Sequence, residues 1–559
     1  MGFSVSPSIT VREFDASMVV PVVSTVIIGA AGHFHWGPVG EKKQVTSEND
    51  LRAYFGTPTA TNYETWFNCA EFLRYGSNLW ISRAIDSTTA KNAGIGVTYD
   101  AYGVNTDPIS TNPYIPNSSS IPVITFGTNE KLQLVAAYPG TLGNTKIKVA
   151  VANVADFPTA EIENGVTFIK NFEYAPVAGT STDKDQIAVA VLVQNDMDTN
   201  WTIVEKWVVS LDSTAKDYMG KSNYIENVIN TQSQWIYAFN NTTIVNTTNS
   251  FEAVLLAGGV EGAPDTGDLQ TAYDQFENPE EFDISILIDA GNTDATTQGY
   301  IVDICDERKD CMAILCVPKD QLLNVDLATA VTNSVTWATT TLNKASSYVA
   351  LYSQAKWMYD KYNDDWRWIS MSGDVAGVYV VTETGLQAWY PPAGDYCPVR
   401  NVTKLAINPK KSHRDTMYAA AVNPIVGLPG QGILVYGQKT LQSYPSAFDR
   451  VNVRRLFIIL EKSIATAAKH TLFKINDTYT QNLWKLSVEP FLKRVMAGRG
   501  IYAYTVICDS TNNTPAVIDT NGFVGDVYVQ PARGIEYIQL NFTAVGTGVD
   551  FNEIIRSGQ

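Results

Sequence analysis

The chain is short of the residues that carry most enzyme and metal chemistry. Its 559 residues include 4 histidines and 6 cysteines, with no Cys-x-x-Cys pair and no dense cysteine framework. That removes the common zinc motifs and a disulfide scaffold, and predicts free thiols kept in a reducing compartment. A long apolar run is also missing. Residues 18–32 come nearest, but they contain Pro21, Ser24 and Thr25 and follow Arg12, Glu13 and Asp15, which suits neither a signal peptide nor a membrane span. Positive charge is scarce: 40 Lys and Arg stand against 57 Asp and Glu, for a net charge of -17. Such a surface repels phosphate backbones and argues against nucleic-acid binding by bulk electrostatics.

The few candidate sites lack partners. His33 and His35 share a face if the segment is a strand, yet no third ligand stands near them, and Trp36, Gly37 and Pro38 follow, so a surface turn is expected. Cys311 and Cys316 point to opposite faces of an apolar strand, with Cys305 on the preceding helix; buried inert thiols are expected. The Gly-Gly-x-x-Gly stretch at 258–262 has neither the GxxxxGK[ST] spacing nor a lysine to reach a phosphate. His413 and Asp415 come with no nucleophile motif, and the pairs Glu280/Glu281 and Asp364/Asp365 fall in polar turns. No catalytic residue, no cofactor and no metal site is assigned.

What is present is material for several cores: 45% hydrophobic and 11% aromatic residues in a chain long enough for three or four domains. SITVREF, residues 8–14, alternates like a strand ahead of any hairpin partner, and GIEYIQLNF, residues 534–542, mirrors it with Ile538, Leu540 and Phe542 on one face. Between them, VVSTVIIGAA reads as an apolar strand. The turn WGPVG follows it, then helices carrying Leu51, Tyr54 and Phe55 and then Trp66, Phe67, Phe72 and Leu73, then a strand at LWISRA. From about residue 87 to 250 the style shifts to short alternating segments such as KIKVAVANV and QIAVAVLVQ, a β-rich insertion. Residues 255–317 read strand, turn, helix, strand, helix, strand, a βαβ-type unit with a buried parallel pair. The segments SYVALYSQAKWMYD and WRWIS, flanking KYNDD, read as a hairpin. In the stretch that ends Trp-Tyr-Pro-Pro-Ala-Gly, Trp389 is placed to anchor a loop that Pro391 and Pro392 keep from continuing as helix.

The most informative stretch is 451–500. Val453, Leu456, Leu460, Ile464, Ala467 and Thr471 draw one helical stripe, with Arg455, Lys462 and Lys469 off it. Asn476 or Asp477 can cap a second helix on which Leu483, Leu486, Phe491 and Val495 draw another stripe ending at Gly498, with Pro490 expected to kink or split it. Residues 400–500 hold 16 Lys and Arg against 5 Asp and Glu, while the remainder holds 24 against 52. Solvation of two surface helices is the ordinary explanation for such a run; the docking-surface reading of these helices comes from the family resemblance that follows.

RDTMYAAAVNPIVGLPGQGILVYGQKTL at 414–441, then VNVRRL, then FKIND before a Trp-containing helix, resembles the C-terminal domain of contractile tail sheath proteins of contractile-tailed bacteriophages, in that family's order. The 19–86 block, the Gly-Gly stretch and Trp-Tyr-Pro-Pro-Ala-Gly resemble it too. The resemblance implies a mixed α/β and α+β multidomain fold: a sheath core with a β-rich inserted domain and extended terminal strand arms. Its divisions are an N-terminal linking arm (1–18), the first part of the core (19–86), an outward-facing insertion (87–250), a middle α/β domain (251–395), a tube-facing C-terminal domain (396–533) and a C-terminal arm (534–559).

It further implies a structural, non-enzymatic subunit of the virion, assembled in the bacterial host cytoplasm. Subunits would stack as hexameric rings around a tail tube protein, bounded by baseplate and tail terminator proteins, and contract to drive the tube through the envelope. No nucleic acid and no membrane insertion are involved. The arms, through Ile9, Val11, Phe14, Ile538, Leu540 and Phe542, would add strands to neighbouring subunits. Lys469, Lys485, Lys493, Arg494 and Arg499 would face the tube. The sheath of a headless contractile particle, an R-type bacteriocin or extracellular injection system, is the alternative within the class. A metabolic enzyme built on the βαβ unit and an exported adhesin are the rivals outside it.

Overall fold

The computed structural model describes residues 26–98, 106–109, 112–194, 200–245 and 248–539. Its organising element is an eight-stranded sheet with spatial order Lys42–Val45, Leu79–Ala84, Ile28–His33, Ile286–Ile288, Met312–Cys316, Val349–Ser353, Val422–Leu428 and Gly432–Val435. The six inner strands run parallel and the two outer ones antiparallel. Parallel strands are buried on both faces, which explains their continuous apolar wording. Ile286, Ile288, Met312 and Ile314 point into a layer with helices Tyr63–Phe72 and Ser372–Gly385. Leu287, Ala313 and Leu315 point to the other face, under helices Thr266–Asp274, Ala295–Arg308 and Leu327–Thr336. Cys311 and Cys316 lie in these opposite layers, and all six cysteines are buried free thiols.

The insertion hangs between the third and fourth of those strands in chain order. It holds two four-stranded antiparallel sheets, one around Glu130–Ala136 and one around Ile147–Ala152 and Gln186–Gln194, sharing a core with helix Ile225–Gln232. The alternating segments at 147 and 186 pair with each other, Val151 opposite Val189. One expectation is corrected here. Phe251–Leu255 does not open the βαβ unit; it pairs antiparallel with Ile147–Ala152 in the insertion. The true unit is Ile286–Ile288, Ala295–Arg308 and Met312–Cys316. Gly259 and Gly262 in the Gly-Gly-x-x-Gly stretch sit where a Cβ would come within 2.3 Å of the Gly140 and Asp86 carbonyl oxygens, so the glycines serve backbone-to-backbone packing.

Charged groups seam the insertion to the core. The buried Arg83 guanidinium donates to the carbonyls of Phe34, Gly37 and Pro139 at 2.8, 2.8 and 2.9 Å, joining core loop to insertion. His33 and His35, expected in a surface turn, are instead largely buried against Glu261, at 2.9 and 3.1 Å from its two oxygens. The third group is more than 220 residues away in sequence, which is why local spacing could not supply it. Burial pushes the Glu261 carboxyl up, but hydrogen bonds and charge from the two histidines outweigh that and hold it well below the usual range.

A second ionic cluster lies inside the core. Lys356, on strand Ala355–Asp360, is fully buried with its Nζ 2.9 Å from Glu71 and 2.8 Å from Asp374, tying two helices to the strand. Burial, opposed by the Lys356 charge, raises Asp374 to about 6.

Candidate assembly surface

The C-terminal unit is built on helices Val451–Lys469 and Thr478–Ala497 and the hairpin Ile501–Ile507 with Asp526–Pro531. On the first helix the stripe Val453, Leu456, Leu460 and Ala467 is buried, with Ile464 and Thr471 half-buried. Its first half, however, is buried all round, with Asn452, Arg454, Arg455, Ile458 and Ile459 buried as well. Arg455 is therefore not on a solvated flank. Its guanidinium donates to Glu383 at 2.6 Å and lies over the Tyr379 ring. Arg454 lies over Tyr348, 4.2 Å from the ring centroid, and pairs with Glu461. Lys462 pairs with Asp283 and donates to the Ile284 carbonyl at 2.7 Å. These cations fasten the helix to the central sheet's layers.

The second helix is capped by Asp477, whose carboxylate accepts from the Thr480 amide at 2.8 Å; Asn476 donates to the Gly522 carbonyl instead. The buried stripe is Trp484, Val488, Phe491, Leu492 and Val495. Phe491 and Val495 fall as expected, Leu483 is half-buried, and Leu486 is corrected to the solvent face, 65% exposed. The spacing 484, 488, 491, 495 keeps helical phase, whereas 486 to 491 turns about 140° away at roughly 100° per residue. Pro490 does not split the helix, which runs unbroken to Gly498. There the Trp389 indole donates to the Gly498 carbonyl at 2.8 Å, so the aromatic anchor ties its loop to the end of the basic helices.

The hairpin forms a two-stranded sheet with no further partner among the described residues, leaving an open edge on each side. Beyond it, residues 532–539 form no strand, yet they are held: Glu536 accepts from Arg450 at 2.6 and 3.0 Å in a bidentate pair. Around that anchor Ile535, Tyr537 and Ile538 are more than three-quarters exposed. Ile9, Val11, Phe14, Leu540 and Phe542 lie outside the described residues.

Of the five candidate tube-facing cations, Lys469, Lys493, Arg494 and Arg499 are exposed and Lys485 is half-buried. None makes an ion pair among the described residues. Lys485, Lys493 and Arg494 share the second helix with Arg499 just past its end, while Lys469 sits at the far end of the first. Lys485 is near Asp509, whose carboxyl is held low by Thr511 hydrogen bonds first and by this lysine's charge in addition.

Sequence reasoning missed one exposed feature. Trp357 pairs across the hairpin with Trp368, and Tyr359 with Trp366, forming an aromatic face on which Tyr359 and Trp366 are each 44% exposed. The alternation Trp-x-Tyr and Trp-x-Trp was its signal. No group of three side chains able to hold a metal occurs among the described residues, and no helix there is long and apolar enough to cross a membrane.

Residues 443–544 match the family model for the phage tail sheath C-terminal domain. The tail sheath protein of Enterobacteria phage T4 is 32% identical, covering 98% of this chain and 99% of the relative. That of Vibrio phage KVP40 is 29% identical with the same coverage, and that of Salmonella phage ViI is 27% identical over 100% of this chain and 98% of the relative. Among solved structures, the sheath tail protein from Listeria innocua superposes with a TM-score of 0.55 at 11% identity, covering 92% of this chain and 93% of that one. The helical sheath of the anti-feeding prophage in its contracted state gives 0.52 at 13% identity over 97% and 99%. A mixed α/β core, an inserted β domain, a strand-poor C-terminal extension and 27–32% identity to three such proteins over nearly the whole chain lead to one assignment: the chain belongs to the tail sheath proteins of contractile-tailed bacteriophages.

Proposed function

We propose that this structural subunit stacks as hexameric rings around a tail tube protein, between a baseplate and a tail terminator, and that its two terminal arms join neighbouring rings. The observation that carries the reading is the C-terminal hairpin with both edges unpaired, beside a terminal segment whose apolar side chains are exposed while Glu536 clamps its base. Open edges recruit strands, and an arm carrying Ile9, Val11 and Phe14, or one with Ile538, Leu540 and Phe542 on one face, is the matching ligand. Lys469, Lys485, Lys493, Arg494 and Arg499 supply the tube-facing charge, since no carboxylate of the described subunit pairs with them. Energy is stored in contacts between rigid subunits and needs no catalytic site or cofactor.

Purified protein mixed with its tube protein should form striated tubes in negative-stain electron microscopy, with six subunits per ring. A chain lacking residues 1–14 should remain a folded monomer under the same conditions. Long polymers from that truncation would remove the N-terminal arm from the proposal.

A further inference from the structure

Two of the buried thiols touch. Cys305 and Cys311 lie in the same packing layer with their Sγ atoms 3.5 Å apart, and neither is exposed. The other four cysteines are placed elsewhere: Cys69, Cys316 and Cys397 in the layer of helices Tyr63–Phe72 and Ser372–Gly385, and Cys508 in the C-terminal unit.

The backbone around the pair holds both sulfurs in position. Cys305 stands in the last turn of helix Ala295–Arg308, where its carbonyl accepts from the Lys309 amide at 2.9 Å. Lys309 takes a φ of +60°, the left-handed turn that ends the helix. Arg308 then clamps the connection, donating to the two Asp310 carboxylate oxygens at 2.8 and 2.9 Å and to the Phe282 carbonyl at 2.9 Å. Cys311 follows at once, directly ahead of strand Met312–Cys316. Sulfurs in a disulfide are about 2.05 Å apart, so the two thiols have about 1.5 Å to close, a distance that small side-chain rotations cover.

We propose that Cys305 and Cys311 are an oxidisable pair, which a peroxide converts to a disulfide stapling the end of helix Ala295–Arg308 to the start of a central strand. One thiolate attacks the peroxide and takes an oxygen as a sulfenic acid, while the hydroxide that leaves is protonated to water. The second sulfur then displaces a second water from the sulfenic sulfur as the S–S bond forms. Both thiol protons end in water; sulfur is oxidised and peroxide oxygen reduced. The hydrogen bond with Cys311, and after it burial, holds the Cys305 thiol well above its ordinary range, so thiolate is scarce and the reaction slow. Slow closure suits the setting, which rests on the virion reading: the pair stays reduced while subunits assemble and closes in the released particle. Once formed, the buried bond is shielded from exchange with outside thiolates. This pair is thereby set apart from the inert thiols that the sequence leads one to expect.

The test uses the full chain, purified under reductant, freed of it and exposed to hydrogen peroxide. Thiols titrated in denaturant should fall from six to four, two being consumed in one bond. Trypsin cuts at Arg308 and Lys309, so non-reducing peptide mapping should recover the Cys305 and Cys311 peptides joined. Cys305→Ala and Cys311→Ala should each keep all their thiols under the same exposure. The urea midpoint should rise on oxidation of the wild type and not in either variant. Six surviving thiols, a bond joining any other pair, or oxidation to sulfinic acid without a crosslink overturns the inference, and the wild-type measurements decide it even if a variant fails to fold. Tube formation is read separately: its absence counts against the sheath assembly reading and leaves the thiol count unchanged.

Discussion

The two basic helices of the C-terminal unit use the same charge in opposite ways. On Val451–Lys469 the cations ahead of the last turn are spent inside the molecule, Arg455 on Glu383 and Lys462 on Asp283, and Lys469 alone is left exposed and unpaired among the described residues. On Thr478–Ala497 none forms an ion pair among the described residues, and only Lys485 has a nearby carboxylate, Asp509. The first helix is sandwiched between the central sheet's layers and its neighbour, so every side of its first half needs a partner. The second has one buried stripe and a free face. A local excess of Lys and Arg thus says nothing by itself about recognition; what matters is whether the fold has already supplied the carboxylates.

That contrast can be broken at its buried end first. Lys356→Met strands Glu71 and Asp374 in the core and should cost about 3–5 kcal/mol, read as a lower urea midpoint with an unchanged slope. Arg455→Met leaves Glu383 without its cation and should cost about 3 kcal/mol by the same assay; a loss under about 0.5 kcal/mol would place Arg455 with the surface cations and collapse the comparison. Next comes the pH response of the two buried carboxyl environments. Glu261 has a folded pKa below its ordinary 4.5, so its contribution is present above that pH and fades as pH falls through the folded value. The stability gap between wild type and Glu261→Gln should therefore narrow on acidification below about pH 4.5. Asp374, raised from 3.8 to about 6, has the opposite sign: its contribution is complete below 3.8 and is lost as pH rises through about 6. The smallest effect on stability belongs to the free helix. Lys493→Glu with Arg494→Glu should stay within about 0.5 kcal/mol of wild type while reducing tube coverage in micrographs.

Much of this was legible in the sequence because it is local. Helical stripes, the hairpin around KYNDD, the insertion's alternating strands and the anchoring role of Trp389 all follow from periodicity and turn residues. What stayed hidden depends on partners far along the chain. Arg455 reads as a flank residue until Glu383 is placed 72 residues upstream, and the two histidines read as a turn until Glu261 arrives. Leu486 departs for a simpler reason: it is apolar and close to the stripe in sequence, but its helical phase lies about 140° from Phe491, on the solvent face. The apolar run that begins at Leu255 reads as the opening of the βαβ unit because such a run does not encode its neighbour; the strand that ends there pairs in the insertion.

The interrupted central sheet has a consequence for synthesis. Ile28–His33 lies between Leu79–Ala84 and Ile286–Ile288, so its second edge waits for about 200 further residues to leave the ribosome, roughly 10–40 s at ordinary elongation rates. Meanwhile the insertion, whose strands pair mainly within residues 94–255, can close its own core. The nascent subunit therefore holds a finished domain above an unfinished sheet whose edge is open, and crowded polysomes are where premature strand pairing between chains must be avoided.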